Sequence, residues 1–158
     1  MAYIYPAPGV NGVEATLSIS VASNGSDTGT TVPALQDVTV NAANDVFTWT
    51  QLDSASKLQI ATTATNSLGM NLVLEQTTFF GDATAAANTA ALSGIFGLSK
   101  DKTKVAFELY LGDTDGGATG KTLSGEGYIT GLSPTVSADA PVWVSPITIT
   151  VDGDYTVA

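Results

Sequence analysis

Hydrophobic and polar positions alternate along most of the chain with the period of two that marks a half-buried β-strand. The clearest run is Val13–Val21, where Val13, Ala15, Leu17, Ile19 and Val21 share one face and Glu14, Thr16, Ser18 and Ser20 the other. Leu35–Val40 and Asp45–Leu52 read as further strands with Asn41–Asn44 as the turn between them, and Phe47 and Trp49, on one face, are expected in the core. Met70–Gln76 alternates again, and Val105–Leu111 sets Val105, Phe107, Leu109 and Leu111 against Ala106, Glu108 and Tyr110. Towards the C-terminus the pattern gives a strand at Thr122–Thr130, a loop bracketed by Pro134 and Pro141, and a strand at Val142–Val151. In that pair Ser124, Glu126, Tyr128 and Thr130 are expected to face outward, and Trp143, Ile147 and Ile149 to face the core.

The period changes once. After Phe79, Phe80 and Gly81, Asp82 is a suitable N-cap, an Ala-rich run follows, Leu92, Ile95 and Phe96 recur at helical spacing, and Gly97 can end the element, which predicts a helix at about 83–96. The intervening segments are loops. Met1–Asn11, with Pro6, Pro8 and Gly9, reads as an extended arm whose Tyr3, Ile4 and Tyr5 either fold back on the domain or reach a neighbouring subunit. Asp53–Gly69 reads as a long interaction loop around the apolar patch Leu58–Ile60. The expected architecture is one mainly β domain over 1–158, a β-sandwich or barrel with one flanking helix and no internal repeat.

Composition narrows the function. The 158 residues suit a single domain with one core. Fifteen carboxylates oppose five lysines, and the chain has no arginine and no histidine, so it lacks the cationic footprint that nucleic-acid binding needs. The same charge disfavours anionic membrane surfaces, and no apolar run approaches the roughly 20 residues of a spanning helix. Absence of cysteine removes disulfides, thiolate nucleophiles and Cys-based metal sites, which suits maturation in a reducing cytosol. The N-terminus shows neither the basic and apolar regions of a signal peptide nor a glycine at position 2 for myristoylation, so export by the usual route is not expected.

The motifs that suggest chemistry fail on inspection. Gly116–Thr122 resembles a phosphate-binding loop, but Asp115 stands where its first glycine belongs and the segment leads into a strand, not a helix N-terminus. Asp113 and Asp115, and likewise Asp152 and Asp154, lack the spacing of an EF-hand and read as Asp-Gly turns. A serine triad is impossible without histidine. No cofactor, metal or catalytic group is expected.

The segments FTWTQLDSASKLQIATTATNSLG, MNLVLEQ, the Ala-rich run before KVAFELYLGD, and above all SGEGYITGLSPTVSADAPVWVSPITITVDGDYTV are together similar to the major tail proteins, or tail tube proteins, of long-tailed bacteriophages. The resemblance is one of arrangement over most of the chain, and it extends to the tube proteins of the type VI secretion system. It implies a β-sandwich or barrel with one helix, assembled in the host cytoplasm into hexameric rings that stack into the tail tube of the virion. The implied partners are further copies, then tape-measure, terminator and baseplate proteins, with DNA passing through the lumen without specific binding. No membrane is involved.

By the same resemblance Glu75, Glu108 and Glu126 are lumen candidates, with Thr148 and Thr150 as weaker ones. Carboxylates there would repel the phosphate backbone and keep it moving. The lysine turn, with Lys100, Lys102 and Lys104, is a candidate for a neighbour's acidic surface, and Tyr3, Tyr5, Leu58 and Ile60 for contacts between rings. Two alternatives remain: another phage structural protein, such as a tail terminator or head decoration protein, and a carbohydrate-binding or adhesin module using Trp143 or Trp49 as a stacking platform.

Overall fold

A computed structural model describes residues 16–32, 35–52, 56–62, 64–111, 120–139 and 142–158. The alternating segments form β1 (Thr16–Val21), β2 (Thr30–Thr31), β3 (Leu35–Asn41), β4 (Asp45–Thr50), β5 (Lys57–Thr62), β6 (Ser67–Val73), β7 (Val105–Leu111), β8 (Lys121–Leu132), β9 (Val144–Val151) and β10 (Thr156–Val157). Two short helices, α1 (Gln76–Phe80) and α2 (Ala90–Lys100), lie between β6 and β7. The fold is mainly β and antiparallel, as the alternation predicts.

One sheet runs β2-β1-β7-β8-β9-β6-β3, with β10 beside the first half of β8. The organising element is β8. Its first half pairs with β7 from Leu111↔Lys121 to Val105↔Gly127, and its second half pairs with β9 from Gly127↔Val151 to Leu132↔Ile147. Gly127 is thus paired on both sides and joins two half-sheets. Beyond it, α2 packs against β8, and the Ser99 hydroxyl donates to the Ile129 carbonyl at 3.5 Å. Leu17, Phe107 and Leu109 from one half-sheet, Leu68, Ile147 and Ile149 from the other, and Phe79, Ile95 and Leu98 from the helices close into a single buried cluster.

The glycines of β8 allow the close approach of its neighbours. A β-carbon on Gly127 would be driven into the Thr150 carbonyl oxygen, and one on Gly125 would lie 2.9 Å from the Phe107 ring. A bulge between Ile129 and Gly131 adds further local twist.

The helical region departs from expectation. Two short helices replace one, and Asp82 is no helix cap: its carboxylate accepts from the Thr84 amide at 2.9 Å and hydroxyl at 2.7 Å, which holds a turn. The Ala-rich run offers no face bulky enough to dock, and a helix that short gains too little from propensity alone. Thr89 caps α2 instead, and α2 ends at Asp101 rather than Gly97. Inside α2, Gly94 is non-helical (φ 65°, ψ 169°), because α1 and α2 touch backbone to backbone there. A β-carbon on Gly94 would collide with the Gly81 amide, and one on Gly81 with the Leu92 carbonyl. Phe96, expected to pack, is exposed.

Asp53–Gly69, read as a loop, holds β5 and the start of β6. The strand expected over Met70–Gln76 stops at Val73, and Gln76 begins α1. The N-terminal arm, Tyr3 and Tyr5 lie outside the described residues.

We expect Gly127→Ala to cost about 2–3 kcal/mol, as overpacking against fixed backbone does. Gly69→Ala, at a position with nothing within 4 Å of the added carbon, should be neutral or slightly stabilising by loss of unfolded-state entropy. Urea denaturation of both variants measures the difference.

Candidate functional site

With its apolar face buried, the sheet presents a polar outer face. Cross-strand register places Glu108 opposite both Ser18 and Ser124, and Tyr128 opposite Thr150. Glu126 follows two residues from Ser124 on the same side of β8, as the strand period requires. Four of the five lumen candidates therefore share one surface: Glu108, Glu126, Thr148 and Thr150. Short hydroxyl contacts tie it together, Ser124 Oγ to Thr156 Oγ1 and Thr130 Oγ1 to Thr150 Oγ1, both at 2.8 Å. A shallow hollow of about 330 Å³ in this surface is lined in part by Glu108, Glu126, Asp152 and Asp154.

Glu75 is elsewhere. It caps α1, accepting from the Thr78 amide at 3.0 Å, the Thr78 hydroxyl at 2.6 Å and the Thr77 hydroxyl at 2.7 Å. These bonds, that from the Thr78 side chain first, lower its pKa to about 2. Its carboxylate is committed to the helix N-terminus, where negative charge is favoured.

The lysine turn is divided in use. Lys104 Nζ lies 2.7 Å from Glu126 Oε2 and 3.0 Å from Asp152 Oδ2, so it clamps the start of β7 to β8 and to the turn after β9. The Glu126 carboxylate first, then that of Asp152, holds the Lys104 ammonium well above the ordinary lysine range. Glu126 is accordingly an ion-paired carboxylate that shares its lysine with Asp152, whereas Glu108 has no ion pair among the described residues. Lys100 and Lys102 are fully on the surface and remain outward-facing cations.

The aromatics expected in the core are largely outside it. β4 and β5 form a two-stranded sheet of their own, with Phe47 opposite Ile60 and Trp49 opposite Leu58. Directly opposed residues project from the same side, so these four make one apolar face. Phe47 is 59% exposed and Ile60 56%, and the two rings of Phe47 and Trp49 stack at 6.0 Å. Trp143, assigned to the core, is 49% exposed, because it precedes β9 and holds only its backbone in place, accepting from the Leu74 amide. Val136 and Val142 are exposed beside it in sequence. The exposure of Phe47 and the role of Asp152 escaped the reading by alternation, which separates two faces without saying whether either is covered, whereas Leu58 and Ile60 stood out as an apolar patch.

Free strand edges complete the surface. Among the described residues β3 ends the sheet with one side unpaired, and it carries a bulge at Leu35/Asp37 where the Asp37 carboxylate accepts from Asn71 through its backbone amide and side chain. Such an edge is a template for further strands. Among the described residues no group of acidic side chains is arranged to hold a metal ion, and no helix is long and apolar enough to cross a membrane.

Neither the family models nor the curated proteins compared with the chain give a match by sequence. Solved structures do match by shape. A chain from the tail of an empty gene transfer agent particle, solved with C6 symmetry, aligns at TM-score 0.60 and 14% identity over 90% of this chain and 95% of that one. Chains from an extracellular contractile injection system are also similar: one in its sheath/tube terminator (TM-score 0.55, 14% identity, 99% of each chain) and one in its sheath-tube complex (TM-score 0.54, 12% identity, 96% and 92%). The chain has the fold of phage-like tail and injection-system components.

The depressed pKa of Glu75 carries a pH signature. Its stabilising contribution is complete above the ordinary value of 4.5 and disappears as pH falls to about 2. The Tm difference between the natural chain and Glu75→Gln should therefore be largest above pH 4.5 and close towards pH 2, which thermal unfolding across that range measures.

Proposed function

We propose that the chain is a structural subunit of a phage-like tail, and that its rings stack into the tube through which the genome leaves. The observation that carries this reading is the likeness in fold to tail components along nearly the whole of both chains. The match with C6 symmetry supports a hexameric ring. In this reading the β3 edge, unpaired among the described residues, is the heterologous surface that closes by rotation.

In this reading the polar sheet face, with Glu108, Glu126, Thr148 and Thr150, lines the lumen. It presents neither an apolar patch nor a cationic groove that would hold a passing phosphate backbone. The lysine turn, with Lys100 and Lys102 outward, faces a neighbour's acidic surface in a chain of formal charge −10. The protein acts without catalysis, as a component of the virion tail.

A terminator or cap is the second reading, supported by the likeness to a chain in a sheath/tube terminator and to one in a tube-terminating cap (TM-score 0.53, 12% identity, all of this chain and 94% of that one). Negative-stain microscopy of the purified protein separates the outcomes. Open-ended tubes are expected; isolated rings that never stack favour the terminator, and a monomer at high concentration overturns both.

Glu108 gives the sharper test of the lumen, because Glu126 is already paired. Tubes of Glu108→Lys should assemble and retain short duplex DNA at low salt, with retention lost as salt rises, whereas natural tubes should retain none. Fluorescence anisotropy of labelled duplex reads both states, and equal retention by the two tubes removes Glu108 from the lumen.

A further inference from the structure

The turn between β1 and β2 grips the start of α2 through two side chains. Asp27 accepts from three backbone amides: its Oδ2 from Val21 at 2.8 Å and from Ala90 at 2.9 Å, and its Oδ1 from Gly29 at 3.1 Å. Ala90 is the first residue of α2, so one carboxylate joins a strand end, its own turn and a helix 63 residues further on. Asn24 makes the second tie. Its Nδ2 donates to the Asn88 carbonyl at 2.8 Å, and its Oδ1 accepts from the Ser26 amide at 3.1 Å. Asn88 holds φ at 58°, in the left-handed region that asparagine tolerates better than most residues.

The residue after Asn24 is Gly25, and this pairing carries a chemical liability. A backbone amide can attack the side-chain carbonyl of the asparagine that precedes it, and glycine obstructs the approach least because it has no β-carbon. The Gly25 amide has no acceptor among the described residues, and Gly25 itself is exposed. Only the two hydrogen bonds of the Asn24 carboxamide restrain the group that would be attacked.

We infer that Asn24 is a site of spontaneous deamidation, and that its conversion releases the start of α2 from the β1–β2 turn. The Gly25 nitrogen bonds to Asn24 Cγ, the Cγ–Nδ2 bond breaks, and ammonia leaves with the proton given up by the Gly25 amide. Water then opens the cyclic imide at either carbonyl, giving aspartate, or isoaspartate where the chain continues through Cγ. The departing nitrogen is the atom that donates to Asn88. A carboxylate takes its place, so two acceptors face one another with no hydrogen between them, in a turn that already holds the Asp27 carboxylate.

The coupling runs both ways. Imide formation requires the carboxamide to leave its hydrogen bonds, so it proceeds from the locally opened turn and is slower in the folded chain than in the unfolded one. Weakening the Asp27 tie accordingly accelerates it. The inference concerns the single subunit and stands apart from the tube reading.

The purified protein is aged at mildly alkaline pH, and Asn24 is followed by peptide mapping of the mass gain from amide to acid and by isoaspartate labelling. The natural chain should convert, more slowly than the same chain in urea, and Asp27→Ala should convert faster. Gly25→Ala should stay unconverted over the same period; its added carbon meets nothing within 4 Å, so the turn is kept. Asn24→Gln, which would have to close a larger ring, should stay unconverted too. In Asn24→Asp, hydrogen exchange at the Ala90 amide should quicken roughly threefold to tenfold, as loss of one net hydrogen bond does, with Leu109 in the core unchanged.

Conversion of Asn11, in the chain's other Asn-Gly pair, with Asn24 left intact overturns the inference. So does conversion of Gly25→Ala as fast as the natural chain, or of Asp27→Ala no faster than it. Unchanged exchange at Ala90 in Asn24→Asp, or an equal rise at Leu109, overturns the release of α2.

Discussion

The structure depends on one strand serving two half-sheets. β8 pairs with β7 through its first half and with β9 through its second, and the exchange happens at Gly127, where the β9 backbone at Thr150 and Val151 leaves no room for a side chain. Because the two partners are staggered along β8, the apolar faces of the half-sheets turn towards one another and share one core. Gly125, Gly127 and the bulge before Gly131 put three points of local adjustment into a single strand. The opposite face carries Ser18, Glu108, Ser124, Glu126, Thr148 and Thr150, with Tyr128 among them.

The same closure explains what is left uncovered. The core is filled by the sheet and by the helices, so the β4–β5 hairpin has no place in it and carries Phe47 and Ile60 into solvent. Single exposed apolar residues are ordinary, but four on one face of a separate two-stranded sheet form a contiguous patch. A monomer gains nothing from such a patch. Together with a β3 edge unpaired among the described residues and a second exposed patch around Trp143, it is the kind of surface that the assembly proposed above would cover.

Alternation made the strands legible because a period of two is a property of the residues themselves. Leu17, Ile19, Phe107, Leu109, Ile147 and Ile149 are all buried where that pattern puts them. It could not show whether an apolar face finds a partner, which is why Phe47 and Trp143 were expected inside. The helix was misplaced for a related reason: propensity favoured the Ala-rich run, while burial and the Thr89 cap favoured the segment that carries Ile95 and Leu98. The polar surface was half legible. Glu108 and Glu126 fall on it by strand period, but the pairing of Glu126 with Lys104 joins residues far apart in the chain and left no sequence signal.

Lys104 also changes how the charge of the sheet face works. Placed between Glu126 and Asp152, it offsets repulsion inside the subunit, where a carboxylate on β8 and one just after β9 would otherwise oppose the pairing of those two strands. Exposed ion pairs of this kind add little to stability, so its main effect is on the field. Compensation is local: Glu108 on the adjacent strand keeps its charge uncompensated among the described residues, and the hollow beside it still carries Asp154. A surface that is partly compensated where strands must pair, and stays negative where they need not, suits both the fold and the lumen proposed above. Neither demand requires a catalytic group, and the residues that meet both lie on the face of the sheet opposite the core.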